Sequence, residues 1–236
     1  MKTSHGFTLV EIAVVLAIIA LLIGGLLIPM SMQVDQHRIK VTQQRLEEIK
    51  EALIGFTTIN GYLPCPTDEN GKESRTLTQT TCNTYDQSDG YLPWNNLGVE
   101  GYDAWGHPFR YRVDGKFSDS LENNPIEYPY PKNEQALEIR DRDDNTLSFF
   151  DPDLSDNDGF YVVAIIFSCG KNGKPDDKNA TSNPSYSGAS CTVSTTPTNN
   201  EVYTQDVYVE NTFDDILVWL PKNILINRLV MAGKWP

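Results

Sequence analysis

Residues 12–30 hold no charged or strongly polar side chain, and the apolar stretch begins at Phe7. As a helix rising 1.5 Å per residue, residues 7–30 would extend about 36 Å, enough to cross a hydrocarbon layer of about 30 Å. One ionisable residue, Glu11, interrupts the early part of this stretch. A carboxylate in an apolar span is costly and marks a functional position by default. An ordinary secretory signal has a shorter apolar region followed by a small-residue cleavage site, and the sequence around Pro29-Met30-Ser31-Met32 offers none. A plain signal anchor fits the length but gives no reason for Glu11. Gly24, Gly25 and Pro29 lie within the run and lower its helix propensity locally. Such residues are also common in membrane helices.

Gly6-Phe7-Thr8-Leu9-Val10-Glu11 resembles the cleavage and methylation signature of type IV pilins and type II secretion pseudopilins. The resemblance implies that a prepilin peptidase cuts between Gly6 and Phe7 and methylates the new amino terminus at Phe7. It implies that Glu11 pairs with the terminal amine of a neighbouring subunit during assembly. Loss of the leader, residues 1–6, would remove Lys2 and take the formal charge from −13 to −14. The expected division is a leader at 1–6, a transmembrane and assembly helix at 7–32, its continuation at 33–58, and a globular periplasmic head at 59–236.

Ile39, Leu46, Ile49, Leu53 and Phe56 recur at helical spacing, with Gln43, Gln44, Glu47, Glu48 and Glu51 between them. The pattern predicts a helix from about residue 7 to about residue 57, its second half lying on the head and ending at Gly61 and Pro64. Residues 109–113 alternate, with Phe109, Tyr111 and Val113 on one side and Arg110 and Arg112 on the other. Residues 160–167 read as a central strand, 202–209 as a looser one, and 216–220 as another. A short helix over residues 222–232 closes the chain. The expected fold class is α+β: a long N-terminal hydrophobic helix packed on a small antiparallel-sheet head with disulfide-pinned loops. The Asp103-x-Trp105-Gly106-x-Pro108 segment is similar to one in major pseudopilins. The ensemble of Leu-Pro-Cys-Pro, Leu-Pro-Trp, Asp-Ala-Trp-Gly and Asp214-Asp215 before a tryptophan looks like a group of larger bacterial pilin-like proteins.

Four cysteines permit three pairings. The sequence-local one, Cys65 with Cys82 and Cys169 with Cys191, is the expectation, and it implies an oxidising compartment. Each bridge would close a loop of about twenty residues, worth ~3 kcal/mol on the chain-entropy estimate. A tetrathiolate zinc site would need close C-x-x-C pairs, and the chain has none.

The formal charge of −13 argues against a nucleic-acid partner. It suits an extracytoplasmic surface or one that attracts cations. Two acidic segments have oxygen donors suited to a hard cation: Asp151, Asp153, Asp156 and Asp158, and Asp176 with Asp177. Neither has EF-hand spacing. Major pseudopilins hold calcium in a late loop, so the resemblance implies Ca2+ as the candidate ion, although the late loop here differs in sequence. Solvated acidic loops are the plain reading of both segments. His107, the head's one histidine, lies in a Trp-Gly-x-Pro turn, and no G-x-S-x-G, H-E-x-x-H or phosphate-cradling loop occurs. No enzymatic activity is expected.

The resulting expectation is a structural subunit, minor rather than major, of a type IV pilus-like or type II secretion pseudopilus fibre. It would be a single-pass protein of the bacterial inner membrane. Its partners would be other pilin or pseudopilin subunits, prepilin peptidase and the inner-membrane assembly platform. The rival is a membrane-anchored adhesin or calcium-responsive binding module that uses the same machinery, with the Ser/Thr/Asn-rich stretch 178–200 as its contact loop.

Overall fold

A computed structural model of the chain describes residue 6 and residues 8–67, 70–73, 82, 89–118, 137–148, 162–180, 191, 201–209 and 212–234; the side chains of 24–31, 89 and 116 lie outside this set. Helix α1 runs over Leu9–Asn60. Its backbone stays helical through Gly24, Gly25 and Pro29, so the low propensity there does not interrupt it. Residues 1–40 and 41–236 form two compact units. In the first, Leu9, Val10, Ile12 and the large apolar side chains through Ile23 are exposed on every side of the helix.

In the second unit, the last turns of α1 carry Leu46, Ile49 and Leu53, three and four residues apart and fully buried. That spacing places them on one face. Thr57 and Thr58 turn their hydroxyls back to the carbonyls of Leu53 and Ile54, and the Asn60 side-chain amide donates to Phe56 O. These side chains bond back to carbonyls one turn earlier, and the Gly61 N–H closes the ladder on Thr57 O at 2.8 Å. Gly61, at φ 82°, then turns the chain out of it in a conformation that favours glycine. The helix ends at Asn60, three residues beyond the expected end near residue 57, where Gly61 takes the left-handed conformation.

The remaining elements are β1 (Asp89–Tyr91), α2 (Trp94–Leu97), β2 (Arg110–Val113), β3 (Glu138–Arg140), β4 (Val162–Ser168), β5 (Val202–Thr204), β6 (Ile216–Pro221) and α3 (Lys222–Met231). Strands β1, β2, β4 and β6 form an antiparallel sheet in that order. One sheet face, bearing Phe109, Tyr111, Val113, Ala164, Ile166 and Leu220, packs on Leu46, Ile49 and Leu53 of α1 and on Leu225 and Leu229 of α3. The other face, with Ile165, Phe167 and Leu217, packs on Leu137, Ile139 and Tyr203. A register irregularity between Val162 and Ala164 changes which side chains face which layer. Val162 thus joins the second cluster, and Val163 and Ala164 the first.

The α+β head with its antiparallel sheet and two disulfides agrees with the expected fold class, and two details go beyond or differ from the sequence reading. The 109–113 alternation sets Arg110 and Arg112 opposite the aromatic side, and both are as buried as their neighbours. The reason is the second apolar layer, which covers the arginine side and lets the Arg110 guanidinium stack over Phe167 at 5.8 Å. Strand 202–209 is shorter than expected and belongs to a separate parallel pair, β3 with β5. After Thr204, the Asp206 carboxylate accepts hydrogen bonds from Arg142 Nε and from the N–H of Val207, which draws the chain away from the ladder. The strand at 160–167 is found as β4, with residues 160–161 outside the described set.

Leu53 is fully buried between α1 and the sheet. Leu53→Ala is expected to cost about 2–5 kcal/mol by loss of transfer energy and creation of a cavity. A denaturant titration with unchanged midpoint would contradict this packing.

Candidate functional site

Two regions carry chemistry. In the first unit, Glu11 Oε2 accepts hydrogen bonds from the Thr8 N–H (2.9 Å) and the Thr8 hydroxyl (3.0 Å), while the Glu11 N–H donates to Thr8 Oγ1 (3.3 Å). Thr8 stands just before α1 and Glu11 three residues on, which makes a reciprocal capping box that satisfies free N–H groups of the first turn. Glu11 therefore caps the first turn of its own helix. Gly6 is exposed just ahead of this turn, and Phe7 lies outside the described residues. Among the described residues no helix segment is long and apolar enough to cross a membrane; the side chains of 24–31 are not among them.

In the head, both disulfides are sequence-local: Cys65–Cys82 and Cys169–Cys191. The segment 169–180 leaves the end of β4 and is fixed at several points. Asp103 is buried, and its Oδ1 accepts the N–H groups of Trp105 and His107 while Oδ2 accepts the Ser168 hydroxyl at 2.6 Å. His107 Nδ1 pairs with Gly170 O at 2.9 Å, a contact in which Nδ1 is the donor because a carbonyl oxygen only accepts. These bonds set the Asp-x-Trp-Gly-His-Pro turn against the start of the segment. Gly170, at φ 58°, lies so close to the Asp214 backbone that a Cβ there would stand 2.1 Å from Asp214 O. No side chain fits at that position.

This frame assembles three carboxylates. Asp176, Asp214 and Asp215 each bring one oxygen within 4.8 Å of the others, and among the described residues no other acidic, cysteine or histidine group does so. Asp214 and Asp215 sit at the entry to β6 and are buried, with relative exposures of 4% and 3%. Their Oδ2 atoms are held by protein donors. Asp214 Oδ2 accepts from Asn172 N–H (2.7 Å), and Asp215 Oδ2 accepts from Asp176 N–H (2.8 Å) and Asn179 Nδ2 (2.9 Å). Asp176 Oδ2 accepts from the Asp214 N–H at 2.7 Å. The two Oδ1 atoms of Asp214 and Asp215 are buried with no hydrogen-bond partner. Buried polar atoms without partners are rare and call for a physical reason such as a bound ion.

The electrostatics agree. Burial pushes the Asp214 carboxyl up to about 6, with the nearby Asp176 carboxylate adding to the rise and the Asn172 N–H opposing it. Burial likewise holds Asp215 well above the ordinary carboxylate range. Three acids this close are mutually repulsive when ionised unless a cation sits among them. Oxygen ligands on opposite sides of a Ca2+ ion stand about 4.8 Å apart at a bond length near 2.4 Å. The donor set is all oxygen, as a hard cation prefers.

Of the acids expected to bind an ion, Asp176 is at this centre. Asp177 is turned away: its Oδ2 accepts the Thr204 hydroxyl at 2.7 Å, and its backbone takes φ 46°. Asp151, Asp153, Asp156 and Asp158 lie outside the described residues. Asp214 and Asp215 were not expected as ligands. The available signal was an adjacent acid pair between Phe213 and the apolar β6, where solvated acids are out of place.

Comparison with known families matches residues 1–27 to the prokaryotic N-terminal methylation motif, the pilin and pseudopilin signal. No curated protein and no solved structure matches the chain significantly.

Proposed function

We propose that this chain, a pilin- or pseudopilin-type precursor of the kind prepilin peptidase processes, becomes a non-enzymatic structural subunit of a type IV pilus-like or type II secretion pseudopilus fibre. The observation that carries the reading is the methylation motif running directly into a helix whose apolar side chains are bare on all sides from Leu9 to Ile23. Such a surface calls for lipid or a neighbouring helix. The subunit starts as a single-pass protein of the bacterial inner membrane with a periplasmic head, then passes into the fibre through the assembly platform. Two disulfides in the head agree with an oxidising compartment. With 236 residues and a head of two stacked sheets, the subunit is bulky, which favours a minor, capping or priming role.

The three-carboxylate centre supports a second element of this function. A hard divalent cation, with Ca2+ the favoured ion, is held by Asp176, Asp214 and Asp215 and fixes the end of β4 to the start of β6. It acts structurally, neutralising the buried carboxylates.

Mass spectrometry of the mature amino terminus tests the processing. The expected species begins at Phe7 and carries one added methyl group. A terminus at Met1, or at any residue other than Phe7, rules the assignment out.

A further inference from the structure

The Cys169–Cys191 disulfide is built into the frame of the carboxylate centre. Cys169 directly precedes Gly170, whose backbone lies against Asp214. The N–H of Cys191 donates to Gly173 O at 2.7 Å, and the N–H of Asn172, between these two anchors, donates to Asp214 Oδ2 at 2.7 Å. The segment continues to Asp176, which supplies a carboxylate to the centre and an N–H to Asp215. Both sulfurs belong to buried residues, exposed by 0% and 2%. A reductant therefore reaches the bond only when the segment opens.

We propose that the cation centre and the Cys169–Cys191 bond are thermodynamically coupled, so that cation affinity depends on the redox state of this one disulfide and the bound cation in turn protects it from reduction. The inference rests on the cation reading given above. The intact bond keeps residues 169–173 in place and so presents the Asn172 N–H and Asp176 to the other two acids. Once it is broken, the ordering of that segment must be supplied at the moment of cation binding, which lowers affinity. Linkage makes the effect reciprocal: a cation that holds the segment closed reduces the population of the open form from which the sulfurs are attacked. In that attack a dithiol delivers two electrons and two protons to Cys169–Cys191, giving two thiols, and leaves as its own cyclic disulfide. Cys65–Cys82 holds a different loop and no ligand of the centre. It serves as a control within the same molecule.

The experiment uses the full chain in detergent micelles. Isothermal titration with Ca2+ compares the oxidised protein with the Cys169→Ser/Cys191→Ser variant, and circular dichroism confirms that the variant is folded. Timed alkylation with mass spectrometry follows reduction of each disulfide in wild type by a dithiol, with Ca2+ and with a chelator, and needs no variant. Removal of the bond is expected to weaken Ca2+ binding by about tenfold or more. Saturating Ca2+ is expected to slow reduction of Cys169–Cys191 by a similar factor while leaving Cys65–Cys82 unchanged. Ca2+ uptake with equal affinity in both forms, or equal reduction rates with and without Ca2+, overturns the coupling and leaves the cation centre standing. No uptake by the oxidised protein overturns both.

Discussion

Replacing Glu11 by alanine is expected to leave cleavage and membrane insertion intact and to lower entry into fibres by about a hundredfold or more. In the proposed fibre the carboxylate meets the terminal ammonium of a neighbour in apolar surroundings, and removing one partner of such a pair costs about 3–5 kcal/mol. The capping box complicates the alanine result, because Glu11 also accepts two hydrogen bonds from Thr8. Glu11→Gln separates the two roles. Glutamine still serves at the third helical position of a capping box but carries no charge. If charge pairing governs assembly, both variants fail alike. Normal incorporation of Glu11→Gln, with Glu11→Ala excluded, would assign the effect to helix capping. Shearing and quantifying fibres against the processed membrane pool reads the ratio directly.

Stripping the divalent cation is expected to lower the melting midpoint of the head at neutral pH by about 5–10 °C relative to Ca2+ at about a hundred times its dissociation constant. That excess corresponds to about 2.7 kcal/mol, and a domain of this size shifts by about 2–4 °C per kcal/mol. The pH dependence follows from the raised carboxyls. Asp214 and Asp215 bind their protons more tightly in the folded state than in the unfolded one. Without the cation, the centre is harmless below about pH 4, where both states are protonated. Stability then falls as pH rises through the Asp214 value of about 6. Ca2+ removes this loss, so its effect is largest above that pH and fades below it. Asp215→Asn should abolish the Ca2+-dependent shift. An identical midpoint with Ca2+ and with chelator, across this range, would eliminate the cation centre.

The parts of the molecule legible in the sequence are those where one physical demand sets a run of residues. Leu46, Ile49 and Leu53 must share a helix face, and residues 162–167 must be apolar throughout because both their faces are covered. The local cysteine pairing was also readable, since each pair is separated by a short polar stretch. What escaped was set by distant partners. The burial of Arg110 and Arg112 was not readable, because nothing near them in sequence announces β3 and β5, which are three residues each. Asp214 and Asp215 become a site only when the end of β4 brings Asp176 and the Asn172 N–H to them, about forty positions away in the chain. Asp177 was grouped with Asp176 by adjacency, but its carboxylate accepts the Thr204 hydroxyl while Asp176 joins Asp214 and Asp215.

The two disulfides close loops of 17 and 22 positions that do not overlap. In the membrane insertion proposed above, the chain crosses in order from its N-terminal helix, so Cys65 and Cys82 reach the oxidising side together, before Cys169. On that route Cys169 meets a pair that is free to have joined already, and Cys191 is the thiol left to it. The non-overlapping order of the bridges thus favours the native pairing during maturation of the head and lessens the need for disulfide shuffling.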